Sequence, residues 1–172
     1  MLRTTRRRVL ATTSGLTVLV ASILVGATMA WASGPVVHHV NVGTPDACIA
    51  FGFEHPGCDA NFSLVANQYA DGDVSGQYTD RFANGDGFHA VVDCLLVIGN
   101  DAWISGVITQ GRFDGIDLAG LEVLTQVRDN GTSHNDPPDQ ISFSFIDTEV
   151  PDCTEQPDLQ LFDVSQGQVR IR

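Results

Sequence analysis

Four cysteines are the residues of this sequence with the most sharply defined chemistry. Cys48, Cys58, Cys94 and Cys153 form an even set, and in an exported protein an even set is typical of disulfides. Among the three ways of pairing four cysteines, we favour Cys48–Cys58 as a local loop closure and Cys94–Cys153 as a link between a central strand and the C-terminal region. A zinc site is disfavoured, because zinc ligands usually come in closely spaced Cys or His pairs.

A long loop concentrates oxygen donors in the C-terminal half. It spans 129–139 and contains Asp129, Asn130, Asn135, Asp136 and Asp139. Hard cations such as calcium prefer oxygen ligands, and a hydroxyl-rich ligand could use the same groups. Loops of this length in compact domains are usually functional or disordered. The sequence therefore indicates Asp129, Asp136 and Asp139 as candidate metal or ligand residues. The alternative is a connection whose side chains bond their own backbone.

A second stretch, 71–76, matches the first half of an EF-hand calcium loop. It has side-chain oxygens at alternate positions and a glycine in the sixth place. The place that requires a bidentate glutamate is occupied by Phe82, however, so a hairpin turn is the favoured interpretation.

Signals for catalysis or for sugar stacking are weak. Neither Ser75 nor Ser105 lies in the Gly-x-Ser-x-Gly elbow that many serine hydrolases use. No pair among the 21 acidic residues stands out as a glycosidase pair. Trp103 could stack on a sugar, but a tryptophan in an alternating strand is more often packed than displayed.

The charge balance narrows the classes of partner. The chain carries 21 acidic residues against nine basic ones, all of them arginine, for a net charge of −12. Four of the arginines lie within the first eight residues, so cleavage after Ala32 would leave a net charge of −16. Nucleic acids and anionic membrane surfaces need basic patches, so neither is expected as a partner.

The N-terminal residues have the pattern of a signal peptide. An arginine-rich start precedes an apolar stretch at 9–30, and Ala30-Trp31-Ala32 fits a small-x-small cleavage site. Residues 5–10 also fit a twin-arginine signal. An uncleaved membrane anchor is the alternative, but polar residues within the stretch count against it. We therefore expect a secreted protein or one at the cell-envelope exterior, without membrane attachment after cleavage.

Beyond this leader the sequence alternates between apolar and polar residues, which is typical of half-buried β-strands. In 74–82, for example, Val74, Tyr78 and Phe82 share one face with Asp80, while Ser75, Gln77, Thr79 and Arg81 share the other. This strand and 62–69 are predicted to form a hairpin, as are 88–98 and 102–109. Further strands are predicted at 121–128, 141–147, 159–164 and 168–171, the last two again as a hairpin.

About eight antiparallel strands predict a single all-β domain, either a sandwich or a small barrel. We divide the chain into a signal peptide at 1–32, an extended N-terminal segment with a disulfide loop at 33–61, and the all-β domain at 62–172.

Beyond the leader the chain contains the runs Cys58-Asp-Ala-Asn-Phe-Ser-Leu-Val-Ala66, Val91-Val-Asp-Cys94, Ala102-Trp-Ile-Ser-Gly-Val-Ile108 and Asp136-Pro-Pro-Asp-Gln-Ile-Ser142. With these runs the chain resembles a group of small exported bacterial proteins of unassigned role. The resemblance implies a compact exported all-β domain and transfers no site residues.

Together these features predict an exported, disulfide-stabilised β domain that acts as a non-enzymatic binding or structural envelope protein. Its partner would be an unknown ligand or an envelope component. The alternative is a calcium-dependent or carbohydrate-binding module, and the third candidate is a hydrolase. No cofactor is predicted apart from calcium in that alternative.

Overall fold

The chain folds into β-structure in a computed structural model that describes residues 34–45, 47, 52, 60–82 and 84–172. Within these ranges it forms 11 strands in one antiparallel sheet, so the expected all-β class is confirmed. The strands are β1 (Val36–Thr44), β2 (Asn61–Tyr69), β3 (Val74–Arg81), β4 (Gly87–Ile98), β5 (Asp101–Phe113), β6 (Ile116–Asp117), β7 (Glu122–Arg128), β8 (Gln140–Ser142), β9 (Phe145–Asp147), β10 (Leu161–Asp163) and β11 (Gln168–Ile171).

The expected number of about eight strands is too low, for local reasons. Residues 36–44, assigned from the sequence to an extended N-terminal segment, form β1 and pair with both β2 and β11. β6 is a two-residue strand at the tip of the β5 hairpin. The strand expected at 141–147 is interrupted at Phe143 and Ser144, which separates β8 from β9.

The sheet follows the order β10-β8-β7-β5-β4-β3-β2-β1-β11, with β6 paired to β5 and β9 paired to β7. The β2–β3 and β4–β5 hairpins are confirmed. The hairpin expected between the last two strands is wrong, since β10 pairs with β8 and β11 pairs with β1. The short connection 164–167 therefore leads from one edge of the sheet to the other.

This connection requires the sheet to curl until its two edges approach each other. Two carboxylates span the remaining gap. Asp139 Oδ2 accepts a hydrogen bond from the backbone N–H of Val169 at 2.7 Å, and Asp129 Oδ2 accepts one from Ile171 N–H at 2.9 Å. These aspartates replace part of the backbone ladder that a neighbouring strand would supply to β11.

The main core lies on the inner face of the curled sheet. Alternate residues of each long strand point inward, as their period of two requires. The largest fully buried side chains on this face are Val40, Val42, Phe62, Leu64, Tyr78, Ile104, Ile108, Val123, Val127, Ile141 and Val169. The other side of the sheet, which we call the outer face, carries the polar residues of the same strands.

A second, smaller core covers part of the outer face. Trp103 and Leu124 are buried there with Cys153, under the segment 150–159. The indole Nε1–H of Trp103 donates to the carbonyl oxygen of Pro157 at 3.0 Å. The predicted Cys94–Cys153 disulfide is confirmed, with a Cα–Cα distance of 6.1 Å, and it fixes this segment to β4.

Three sequence predictions concern residues outside the described ranges. Cys48 and Cys58, the proposed second disulfide, lie there, as do the signal peptide and its cleavage site. Among the described residues, no helix is long and apolar enough to cross a membrane.

Candidate functional site

The three aspartates predicted as ligand residues all accept backbone hydrogen bonds. Asp139 is 9% exposed and also accepts from Asn130 N–H at 2.9 Å. Asp129 accepts from Gly131 N–H at 3.0 Å, and Asp136 accepts from Ser133 N–H at 2.7 Å. Each of these carboxylates therefore stabilises the loop or the sheet closure. Their assignment to calcium stays a prediction.

The other residues singled out from the sequence have structural surroundings. In the EF-hand-like stretch, 71–73 belong to the β2–β3 turn and 74–76 begin β3, and Tyr69 N–H donates to the carbonyl oxygen of Asp73 at 2.9 Å. Trp103 is 9% exposed and hence packed, as the sequence favoured. Among the described residues, the group of Cys and Asp close enough to share an ion is Cys94, Asp152 and Cys153, and both of its sulfurs are joined in the disulfide.

The outer face of β3, β4 and β5 forms an open cavity of about 480 Å³ that the sequence did not reveal. Register places Thr79, His89 and Gln110 in one row across the three strands, and Arg81, Gly87 and Arg112 in the next. We call this site the basic groove and define it by Thr79, Arg81, Gly87, His89, Gln110 and Arg112, with Asp86, the ion-pair partner of Arg112, at its edge.

Two arginines flank a notch in the basic groove. A Cβ at Gly87 would lie 2.3 Å from the Asp80 carbonyl oxygen, so this position excludes a side chain and leaves bare backbone between Arg81 and Arg112 in the row. The Arg112 side chain is 73% exposed, and its Nε lies 2.8 Å from Asp86 Oδ1. This contact is made by Nε and leaves the terminal nitrogens of the guanidinium outside it.

Asp86 supports the Arg112 side of the groove. The hydrogen bond from Arg112 lowers the pKa of Asp86, and a second one from the backbone N–H of Asp114 adds to the effect. Asn84 also donates to Asp86, at 3.3 Å. These contacts hold Asp86 ionised and fix the position of Arg112.

His89 supplies the polar centre of the basic groove. Its Nδ1 lies 2.7 Å from Thr79 Oγ1, and Thr109 Oγ1 donates to its carbonyl oxygen at 3.1 Å. A hydroxyl beside an imidazole can act as a nucleophile and base, but such pairs normally have a third group that orients the base. Among the described hydrogen bonds and ion pairs, no carboxylate contacts His89.

A second cavity, of about 450 Å³, lies farther along the same outer face. We call it the acidic pocket and define it by Asp93, Ser105, Gly106, Glu122 and Asp152, which line it beside Cys94 and Pro151. Asp93 falls where the β4–β5 register shifts between Val92 and Cys94, and such β-bulges re-aim side chains.

The carboxylates of the acidic pocket interact with one another. Partial burial raises the pKa of Asp93, and the nearby charges of Glu122 and Asp152 add to the increase. Glu122 Oε2 accepts from Val150 N–H at 3.0 Å. Hydrogen bonds from the hydroxyl and the backbone N–H of Thr154 lower the pKa of Asp152. The pocket therefore gathers negative charge on partly fixed side chains.

Asp80 is a buried acidic residue on the inner face. Asp80 is 5% exposed, and burial raises its pKa to about 7. Ser144 Oγ donates to Asp80 Oδ2 and lies 2.5 Å from the Tyr78 hydroxyl. Burial, followed by the Asp80 charge, raises the pKa of Tyr78 well above its usual value.

No protein family, curated protein or solved structure matches the chain. The site is therefore defined by its own geometry. The basic groove was not predicted because its arginines are 31 positions apart in the sequence and only strand register brings them together. Alternation alone does place Thr79 and Arg81 on one outward face.

Proposed function

We propose that this chain is an exported, disulfide-stabilised β domain that binds, without catalysis, a ligand bearing a carboxylate or phosphate group in the basic groove. The observation that carries the proposal is the pair Arg81 and Arg112 on either side of the Gly87 notch, with His89 in the adjacent row. Guanidinium groups donate two parallel hydrogen bonds to carboxylates and phosphates.

The charge of the whole chain limits the size of that ligand. A net charge of −12 repels long polyanions, whereas a compact anionic group can approach two local arginines. Thr79, His89 and Gln110 then offer hydrogen bonds to neutral parts of the same ligand. This arrangement supports binding of a small anionic group or of an acidic side chain on an envelope component.

Calorimetric titration at low ionic strength tests the proposal, with inorganic phosphate and triglutamate as probes. In the double variant Arg81→Gln, Arg112→Gln we expect affinity for triglutamate to fall by at least about tenfold, because each lost charge-assisted contact is worth about 1.5–3 kcal/mol. Arg170→Gln is the matched control, since Arg170 lies on β11 outside the groove. Equal affinity in the double variant and the control, or no binding of either probe to the native chain, would overturn the proposal.

A second candidate function is calcium binding, and the acidic pocket favours it. Asp93, Glu122 and Asp152 line one cavity and offer the carboxylate oxygens that calcium prefers. Their oxygens do not all lie within 4.8 Å of one another, so binding requires these side chains to close on the ion. A ligand that binds only the native state raises the unfolding temperature. We therefore expect calcium to raise the midpoint, EDTA to reverse the rise, and the double variant Asp93→Asn, Glu122→Gln to abolish it. An unchanged midpoint in millimolar calcium contradicts this candidate.

Export is part of the proposal and rests on the sequence. The Cys94–Cys153 disulfide supports it, because disulfides persist mainly in oxidising compartments. Replacement of Arg6 and Arg7 by Lys should block transport if the twin-arginine route is used, since its receptor reads the arginine pair. Unchanged secretion of that variant would point to the general secretory route instead.

A further inference from the structure

We propose that the basic groove and the acidic pocket are the two ends of one surface, which binds an extended peptide segment with an acidic side chain at one end and a basic side chain at the other. The inference rests on the proposed function and names the class of partner. We call this surface the β4 strip and define it by the basic groove, Val91, Val107 and the acidic pocket.

The β4 strip follows the outward-facing residues of a single strand. Gly87, His89, Val91 and Asp93 alternate with the buried Phe88, Ala90 and Val92. Six residues of strand at ~3.3 Å each place the two ends about 20 Å apart. At one end of the strip, Arg81 and Arg112 lie on either side of Gly87 in the sheet. At the other end, Glu122 and Asp152 line the same cavity as Asp93.

The middle of the strip is apolar and exposed. Val91 and Val107 are paired across β4 and β5, and they are 52% and 39% exposed. This valine pair is a small apolar surface between two polar sites, and an apolar group of a ligand placed on it would be removed from water. A ligand that connects the groove to the pocket must therefore bring an apolar group to its centre.

Charge selects among the ligands that could span the strip. A polyanion would place negative groups against Asp93, Glu122 and Asp152, and a polycation would place positive groups against Arg81 and Arg112. Unfavourable contacts of this sort discriminate between partners as effectively as favourable ones. A peptide can combine an anionic, an apolar and a cationic side chain in one short segment, which a uniformly charged chain cannot.

The spacing of the strip also suits a peptide. In an extended segment, alternate side chains point to the same side, with the same repeat as the strand beneath. A heptapeptide can therefore place its first side chain over Arg81 and Arg112, its middle ones over His89 and Val91, and its last over Asp93.

Fluorescence anisotropy with labelled heptapeptides tests the inference. The mixed peptide has glutamate and arginine at its ends, threonine and valine between them, and serine at the alternate positions, and it is made in both orders. Two control peptides carry glutamate at both ends or arginine at both ends. We expect one order of the mixed peptide to bind the native chain at least about tenfold more tightly than either control peptide.

Variants of the acidic pocket identify the second end. In Asp93→Asn, Glu122→Gln the mixed peptide should lose its advantage over the doubly acidic one, while the doubly acidic peptide should bind at least as well as before. Asp73→Asn, Glu149→Gln removes the same charge from exposed positions outside the strip and should leave the preference unchanged. Circular dichroism confirms that both variants fold.

The outcomes separate this inference from the proposed function. If the doubly acidic peptide binds native chain as tightly as the mixed one and still depends on Arg81 and Arg112, the anionic-ligand function stands and the peptide inference is overturned. Failure of every heptapeptide, with triglutamate still bound, overturns it as well. So does a concentration-dependent dimer in sedimentation that Asp93→Asn, Glu122→Gln dissociates, because a second copy would then occupy the strip.

Discussion

At the scale of single residues, Asp80 has the environment that departs most from the ordinary. It is a carboxyl group among buried aromatic side chains, with Tyr78 and Phe88 in edge-to-face contact at 5.0 Å beside it. Its partner Ser144 lies in the break between β8 and β9. Ionisation of Asp80 would leave a charge in the core, which is costly without a cationic partner.

Stability should therefore fall as the pH rises. The pKa of Asp80 is about 7 in the folded chain, against 3.8 for the free group. Between these values the native state holds a proton that the unfolded chain has lost, so the free energy of unfolding decreases with increasing pH. The three-unit difference corresponds to a loss on the order of 4 kcal/mol, complete above the folded pKa.

The variant Asp80→Asn removes this titration without removing the side-chain oxygen. We expect the variant to lose less stability than native chain between pH 5 and pH 8, as measured by urea denaturation. Glu149→Gln, an exposed carboxylate, is the control and should keep the native pH dependence. An Asp80→Asn curve parallel to the native one would show that Asp80 is not protonated in the folded chain.

Replacement of Asp139 should lower the free energy of unfolding more than replacement of Asp136 in the same loop. The change Asp139→Ala leaves the N–H groups of Asn130 and Val169 without their acceptor, and unsatisfied buried donors cost about 1–3 kcal/mol each. We expect a loss of about 2–5 kcal/mol in chemical denaturation. Asp136→Ala, whose partner Ser133 is exposed, should cost less than about 1 kcal/mol. A larger loss of stability in Asp136→Ala than in Asp139→Ala would show that Asp139 does not hold the two edges of the sheet together.

At the scale of elements, the segment 150–159 owes its position to the Cys94–Cys153 disulfide. The bridge joins residues 59 positions apart, and closure of a loop of this length is worth roughly 4 kcal/mol in the chain-entropy model. The segment itself buries only a small cluster around Trp103 and Leu124. We infer that the covalent link, together with the Trp103–Pro157 hydrogen bond, holds it on the outer face.

Removal of the disulfide should expose Trp103. In Cys94→Ala, Cys153→Ala we expect about 2–5 kcal/mol lower stability and a red shift of Trp103 emission, because its indole would lose the cover of 150–159. In a chain that begins at Ser33, Trp103 is the sole tryptophan and its emission is read without interference from Trp31. Emission unchanged from that of the disulfide-bonded chain would mean that packing alone keeps the segment in place.

The local sequence pattern predicted where the strands lie better than it predicted which strands pair with one another. Alternation in β3 correctly placed Tyr78 inward and Thr79 and Arg81 outward. The apolar run at 95–98 is typical of a strand covered on both sides, and Leu95 does pack in the inner core while Leu96 packs under the outer segment. Predictions of this kind need only residues that are close in the sequence, because side-chain direction repeats every two positions along a strand.

The pairing of strands that are distant in the sequence could not be predicted from alternation. The tight turn at 165–167 suggested a hairpin, but β10 and β11 belong to opposite edges of the sheet. β11 is placed by its backbone pairing with β1 at the other end of the described chain, and Asp139 and Asp129 then hydrogen-bond its free side. The same limit hid the basic groove and the acidic pocket, since both depend on the register of β4 with its neighbours.

At the scale of the whole molecule, the inner face of the sheet contains the main core and the outer face contains the proposed binding sites. The inner face is filled by the main core and contributes stability. The outer face carries the basic groove, the exposed valines and the acidic pocket along β4 and β5. Side chains there can change without disturbing the core, which makes this face the suitable place for ligand recognition.

The most direct test of this account is to map by NMR where triglutamate binds. The amides of Gly85, Gly87 and Gly111 report on the cavity of the basic groove. The amides of Gly43 and Gly167 report on a comparison region, a cavity of about 420 Å³ beside Arg170. We predict saturable shifts of the first three amides and none of the last two. Shifts at Gly43 and Gly167 with an unchanged basic groove, or no saturable shift at either place, would contradict the assignment of function to the outer face of β3–β5.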